Sequence, residues 1–312
     1  MTRAFVFPGQ GSQFVGMGQS LAEAEPAAKL VFEEVDDALS QNLSKVMWEG
    51  SEDELRLTEN AQPALMAVSM AVIRTLEAGG AQVDAIASHV AGHSLGEYSA
   101  LAAARAFSIA DTARLLKLRG QAMQRAVPVG EGAMAAILGL SFDEVTSVAK
   151  AAAQGEIVVA ANDNADGQVV ISGHAAAVER AIELAKEKGA KRGVLLPVSA
   201  PFHCPLMQPA AEEMAEALSA VAVERPCLPV IANVLAAPIS EPEGICNLLV
   251  QQITGAVRWR ESVISMPSLG ITQMVEVGAG KVLSGLARRI DRSLDTVNIQ
   301  EPADIEAFAA TL

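Results

Sequence analysis

The sequence predicts an α/β protein in two parts: a large domain on a mostly parallel sheet, residues 1–130 and 198–312, and a small domain inserted between them, residues 131–197. Three observations predict it. Short apolar runs alternate with helix-length segments at both ends of the chain, the pattern of a parallel sheet covered on both faces. From Gly132 the rhythm changes to the order β-α-β-β-α-β within about 65 residues, a ferredoxin-like signature. With 312 residues and 51% hydrophobic content, much of it alanine, the chain can fill one large core and a smaller one.

The elements follow in order. "RAFVFP" (Arg3 to Pro8) reads as a short buried strand running into the glycine-rich loop "GQGSQFVGMG". "SEDE" (Ser51 to Glu54) is a capping-box pattern opening a short helix. An amphipathic helix is expected from about Ala61 to Ala78, stopped by Gly79 and Gly80. "DAIASHVAG" reads as a strand leading to Ser94, and Leu95 to Ala104 as the helix behind it. "SIAD" (Ser108 to Asp111) resembles another capping box, and its helix carries "RLLKLRGQAMQR". In the inserted domain "GAMAAILGL" is a strand, and "SFDE" (Ser141 to Glu144) caps a helix reaching about Ala153. "EIVVAAN" and "QVVISG" are strands joined by the hairpin-like turn "DNADG". "HAAAVERAIELAKEKG" is a helix ending at Gly189, and "KRGVLLPVS" is a strand. The alternation then resumes with strands "PVIANV" and "QMVEVGAG" and helices near Leu206–Ala220, Gly244–Ile253 and Lys281–Arg292.

Composition narrows the function. Aromatic residues make up 4% of the chain and the net charge is -14, which argues against a base-stacking or polyanion-binding surface. Cys204, Cys227 and Cys246 are odd in number and widely spaced, which fits a reduced, cytoplasmic thiol pool and neither a disulfide framework nor a zinc site. The apolar run before Pro8 is too short for a signal-peptide core. The uncharged stretch Gly193 to Ala211 is broken by Pro197, Pro201, Pro205 and Pro209, so no membrane span is expected. Nothing indicates an oligomer, and a monomer is the default expectation.

The chemistry centres on "GHSLG". Ser94 between Gly92 and Gly96 has the spacing of a nucleophile elbow, in which a sharp strand-to-helix turn exposes the serine hydroxyl. The glycines let strand and helix backbones approach. The same five residues also suit an ordinary turn with Ser94 as a helix N-cap. A serine hydroxyl needs a base in reach. Of His89, His93, His174 and His203, the last is the best candidate: it lies in the proline-stiffened loop "PVSAPFHCPLM", read as following a strand of the large domain. His89 and His93 lack a third ligand or an HExxH helix, so no metal site is read there. His174 opens a helix of the small domain and is expected to be solvated. Cys204 beside His203 reads as an inert buried thiol. Acyl transfer develops an oxyanion, and in elbows one N–H donor follows the nucleophile, here Leu95, while a second comes from a loop after an earlier strand, here around Gln10. Arg119 lies on a leucine-rich helix, either as an exposed arginine or as a guanidinium held to grip a carboxylate.

In order along the chain stand "FPGQGSQ" (Phe7 to Gln13), "GHSLGEYSA" (Gly92 to Ala100), "LRG" (Leu118 to Gly120), "NDNADGQVVISG" (Asn162 to Gly173), "FHCPLM" (Phe202 to Met207), "VRW" (Val257 to Trp259) and "EVGAGKVL" (Glu276 to Leu283). Together they resemble the malonyl-CoA:acyl carrier protein transacylases of bacterial type II fatty acid synthesis, over essentially the whole chain. The resemblance implies an α/β-hydrolase-like large domain with the ferredoxin-like insertion. It implies Ser94 as the acylated nucleophile, His203 as general base and acid, and Arg119 as the malonyl carboxylate ligand. Leu95 and Gln10 would supply the oxyanion N–H groups. Gln252, seven residues before Trp259, would orient His203 through its main-chain carbonyl, and Asn162 would face the cleft. Phe202 would narrow the acyl pocket against a branched substrate. The partners implied are malonyl-CoA and acyl carrier protein, with no resident cofactor because CoA is part of the substrate. Gly255-Ala256 departs from the Asn-Pro pair often found there in relatives.

Two rivals share parts of this pattern. A serine hydrolase or thioesterase acting on acyl thioesters would use the elbow and base without an arginine in the acyl pocket. A non-catalytic carrier-binding module would need neither. An acidic carrier meeting a chain of charge -14 needs a local basic patch. Lys186, Lys188, Lys191 and Arg192 form one candidate. Lys281, Arg288, Arg289 and Arg292, read as sharing a helix side, form the other.

Overall fold

The computed structural model describes residues 1–198 and 200–312. Ser199, the last residue of the expected strand "KRGVLLPVS", lies outside them. The described strands are β1 (Arg3–Phe7), β2 (His89–Gly92), β3 (Gly132–Leu138), β4 (Val158–Ala165), β5 (Gln168–His174), β6 (Arg192–Leu195), β7 (Val230–Ala232), β8 (Ala237–Ile239), β9 (Gln273–Val277) and β10 (Asp295–Ile299). They form a six-stranded sheet in the order β10-β9-β1-β2-β7-β8 and a four-stranded sheet in the order β4-β5-β3-β6. In the first sheet all neighbours are parallel except β7 and β8. β1 and β9 are buried along most or all of their length, and helices cover both faces, as near-continuous apolar strands require.

The second sheet is antiparallel throughout. Its strand order and its two crossing helices, Phe142–Ala153 and Ala175–Glu187, are those of the expected ferredoxin-like unit. Both helices bury one stripe against the sheet: Val145, Val148, Ala149 and Ala152 from one, Ala177, Val178, Ala181 and Ala185 from the other. The start of the first is fixed by Ser141, whose Oγ accepts from the Glu144 amide while the Glu144 carboxylate accepts from the Ser141 amide. That reciprocal pair satisfies two otherwise unpaired donors.

The two sheets are stitched together where β4 meets the segment before Trp259. The Asp163 amide donates to the Val257 carbonyl and the Val257 amide to the Ala161 carbonyl, each at 2.9 Å. The Arg260 guanidinium bonds both Asp163 oxygens at 3.0 Å. The small sheet is therefore held against the large one beside the elbow.

Several expectations need correction. The helix Thr58–Ala78 is not amphipathic: it is buried on every side from Asn60 to Ile73, because helices pack around it and the large sheet lies beneath it. The strand before Ser94 is short, since Val83–Ile86 forms a helical turn and pairing begins at His89. β6 belongs to the small sheet, so His203 follows a small-domain strand and sits in the loop returning to the large domain. The basic helix spans Val282–Ile290, and Asp291 is extended, which puts Arg292 beyond it. Among the described residues no helix is long and apolar enough to cross a membrane.

Candidate active site

Three loops at carboxyl ends of the parallel strands converge. Gln10 follows β1, Ser94 follows β2 and Asn233 follows β7. Open α/β sheets assemble sites at this edge.

Ser94 has φ 55° and ψ -110°. A non-glycine residue there stores about 1–3 kcal/mol and persists only if its surroundings fix it. They do. A Cβ on Gly92 would fall 1.9 Å from the Gly96 carbonyl, and one on Gly96 would fall 2.2 Å from the Phe7 oxygen. Only glycine allows β1, the elbow and the following helix to meet so closely. Asn233 clasps the turn, accepting from the Ser94 amide at 2.7 Å and donating to the Gly92 carbonyl at 2.6 Å.

His203 reaches this serine from the loop after β6, itself with φ 58°. Its Nε2 is 2.7 Å from Ser94 Oγ, and its Nδ1 is 2.8 Å from the Gln252 main-chain carbonyl. A carbonyl can only accept, so Nδ1 carries the proton and Nε2 offers its lone pair to the serine hydroxyl. Burial, and after it the charge of Arg119, push the His203 pKa down to about 3. The ring is neutral at physiological pH, the state a base requires.

Arg119 is not an exposed helix arginine. It is 1% exposed, with its guanidinium 5.6 Å from the centre of the Tyr98 ring. Nη1 donates to Gln62 Oε1 at 2.7 Å, and Nη2 donates to Ser94 Oγ at 3.1 Å and Gln252 Oε1 at 2.8 Å. Gln62 in turn donates to Thr58 Oγ1, which donates to Gln10 Oε1 at 3.0 Å. One chain of bonds thus runs from the arginine to the glycine-rich loop.

Every sequence-predicted site residue except Gln252 lines one cavity of about 420 Å³. Asn162 enters it from β4 and Phe202 from beside His203. The small domain adds Met134, Val170 and Leu196 as apolar wall. Gln252 is fully buried behind Arg119 and His203, at the end of the helix Pro242–Thr254. Gly255 caps that helix in an extended conformation, and the change from Asn-Pro leaves the Gln252 carbonyl facing His203.

The other candidates have different bonding partners, although His93 lines the same cavity. The Cys204 thiol donates to the Pro201 carbonyl, and burial raises its pKa. His89 contacts Ser88, while His93 Nε2 contacts Asn164 Oδ1 at 2.8 Å, so the two rings do not converge. His174 is half-buried rather than solvated, its Nδ1 accepting from the Ile157 amide at 2.9 Å.

Sequence reasoning missed Asn233, Gln62, Asn164 and Glu97. Glu97 had a signal: it is the one charged residue in "LGEYSALAAA", one turn beyond Ser94. It is 1% exposed, accepts from Gln252 Nε2 at 2.8 Å and the Asn233 amide at 3.1 Å, and burial raises its pKa to about 7.

Comparison with known proteins identifies the family of the chain. The model of the acyl transferase domain family matches residues 4–300. The malonyl CoA-acyl carrier protein transacylase of Bacillus subtilis is 48% identical, covering 99% of this chain and 96% of that protein. The structure of an acyl-carrier-protein-S-malonyltransferase from Bartonella henselae superposes with a TM-score of 0.98 at 56% identity, covering 100% of this chain and 99% of that one. A malonyl-transacylase in complex with a type II PKS acyl-carrier protein matches with a TM-score of 0.97 at 41% identity, over 100% of both chains. The chain belongs to the acyl transferase family, as its resemblance to malonyl CoA-acyl carrier protein transacylases predicted.

Proposed function

We propose that this acyltransferase moves malonyl from malonyl-CoA to the phosphopantetheine thiol of acyl carrier protein through a malonyl-Ser94 ester. The observation that carries the reading is the position of one oxygen. Ser94 Oγ lies 2.7 Å from the neutral nitrogen of His203 and 3.1 Å from the Arg119 guanidinium. Nucleophile, base and a carboxylate-binding cation share one point of the cavity.

In the first half-reaction Ser94 Oγ attacks the thioester carbonyl and His203 Nε2 takes its proton. The Leu95 and Gln10 amides receive the oxyanion, at the two places elbow chemistry assigns them. The carbon–sulfur bond breaks and His203 returns the proton to the departing CoA thiolate. In the second half-reaction His203 deprotonates the carrier thiol, which attacks the ester carbonyl. The ester bond to Ser94 breaks and Oγ recovers the proton. The Gln252 carbonyl stabilises the transient imidazolium and takes the place of a triad aspartate. Arg119 turns its fork from Ser94 and the glutamines to the malonyl carboxylate, a bidentate pairing in a dry site. CoA enters as substrate, and the scheme needs no resident cofactor.

The relative solved with its acyl-carrier protein supports a carrier partner here. We place its docking face on the helix Val282–Ile290. Arg288 and Arg289 are exposed and bonded to neutral partners, Thr296 and Gln168, whereas Lys186 of the rival patch is tied to Glu183 at 2.7 Å.

Isotope exchange tests the scheme. A ping-pong enzyme scrambles labelled CoA into malonyl-CoA with no carrier present. Absence of exchange, with transfer to carrier intact, would require direct transfer in a ternary complex and overturn it.

A further inference from the structure

We infer that Glu97 is a positioning residue for Ser94 acylation, acting through Gln252 and Asn233. The inference rests on the reading of Ser94 and His203 as nucleophile and base. Glu97 stands behind the cavity lining, on the helix that follows the elbow. A single oxygen, Oε2, accepts two bonds: Gln252 Nε2 at 2.8 Å and the Asn233 amide at 3.1 Å.

Each bonded partner holds one half of the reacting pair. Asn233 Oδ1 accepts from the Ser94 amide at 2.7 Å, which fixes the strained backbone that aims Oγ. The Gln252 carbonyl accepts from His203 Nδ1 at 2.8 Å, which fixes the ring and its tautomer. The Gln252 side chain has its orientation chosen from both ends. Its oxygen faces Arg119, which only donates, and its nitrogen faces Glu97 and the Ser94 carbonyl, which accept. Turning the amide over would set donor against donor at Arg119 and acceptor against acceptor at Glu97. Glu97 therefore couples the serine clasp to the histidine clasp through one atom. Among the described residues no carboxylate bonds His203, and this buried one lies a single residue further back, behind Gln252.

Because one oxygen does the work, an amide oxygen in the same place serves equally. Glu97→Gln should acylate within about threefold of wild type, since it keeps an acceptor at the Oε2 position. Glu97→Asp pulls that acceptor back by a methylene, and Glu97→Ala removes it. Both should slow malonyl-Ser94 formation by about 100-fold while KM for malonyl-CoA stays within about threefold, because misplacement of reacting groups reads in the chemical step. The His203 Nδ1–H proton resonance should persist in Glu97→Gln and shift or broaden in Glu97→Asp. Glu97→Asp retains the carboxylate and serves if the alanine variant does not fold. The inference is overturned if folded Glu97→Asp acylates at the wild-type rate with an unchanged resonance, or if Glu97→Gln is as slow as Glu97→Ala. Ser94→Ala is run alongside: a malonyl adduct on that variant indicts the nucleophile assignment instead.

Discussion

The six-stranded sheet delivers polar groups to the cavity and the four-stranded sheet delivers mainly apolar ones. Gln10, Ser94 and Asn233 all follow carboxyl ends of parallel strands, where chain direction reverses into loops. Met134, Val170 and Leu196 come from or beside antiparallel strands, which present alternate side chains broadside. Asn162 and Asn164, both on β4, are the polar exceptions, Asn162 placed by the bridge between β4 and Val257. The nucleophile thus follows a strand of the large sheet, most of the apolar wall comes from the small one, and His203 enters from the loop between the two.

Breaking the polar side of the cavity should have the larger consequences. His203→Ala should slow acylation by about 10² to 10⁴-fold, the usual worth of a positioned base. The wild-type rate should be nearly flat from about pH 5 to pH 8 because the base is already neutral there, its pKa being depressed to about 3. The same depression links to stability. His203 favours the folded state above its ordinary pKa of 6.5, and that contribution is lost as pH falls from 6.5 toward 3. A rate that falls with a midpoint near pH 6.5 would contradict the buried, neutral ring.

That side of the site was largely legible in the sequence. Gly92, Ser94 and Gly96 announce an elbow by local spacing, and His203 stands out because only four histidines exist. Asn233 was not legible, and Glu97 only as a lone charge beside the elbow, because the contacts of Asn233 with Ser94 and with Glu97 each span more than a hundred residues of chain. No local period carries such a contact. The fold was legible where caps and turns are local, as at Ser108 and Ser141. It was misread where a neighbour decides. The helix Thr58–Ala78 reads as one-sided until its neighbours bury it all round, and Arg292 falls outside its helix because Asp291 turns extended.

Arg119 sharpens the comparison from within. It lies on the large-domain side, and under the proposed function it grips the malonyl carboxylate, so Arg119→Ala should lose malonyl transfer by about 2–5 kcal/mol, the cost of leaving a desolvated charge unpaired. Acetyl-CoA, which brings no second carboxylate, should be used as well or better. Lysine should not fully rescue malonyl transfer, since one ammonium cannot reproduce the fork. Equal losses for both substrates would make the arginine a structural strut.

Opening the apolar wall should have a smaller effect. Phe202→Ser should shift the ratio of methylmalonyl to malonyl transfer upward by about tenfold, the scale of a methyl group in an apolar pocket. Steady-state competition between the two thioesters measures it, and an unchanged ratio would remove Phe202 from the pocket's selective wall. Smallest of all is the surface. Reversing the charge of Arg288 and Arg289 should raise KM for the carrier by about three- to tenfold at low salt and flatten its salt dependence. The malonyl-CoA half-reaction should not change. Normal transfer to carrier by that variant would move the docking face to the Lys186–Arg192 patch.

The central claim, a malonyl group held on Ser94, is tested most directly by intact mass after mixing the protein with malonyl-CoA alone. The account predicts a mass increase of one malonyl group, mapped to the peptide bearing Ser94, absent from Ser94→Ala and discharged on adding holo-carrier. Free malonate without an adduct, or an adduct that survives Ser94→Ala with the cysteines blocked, would contradict it.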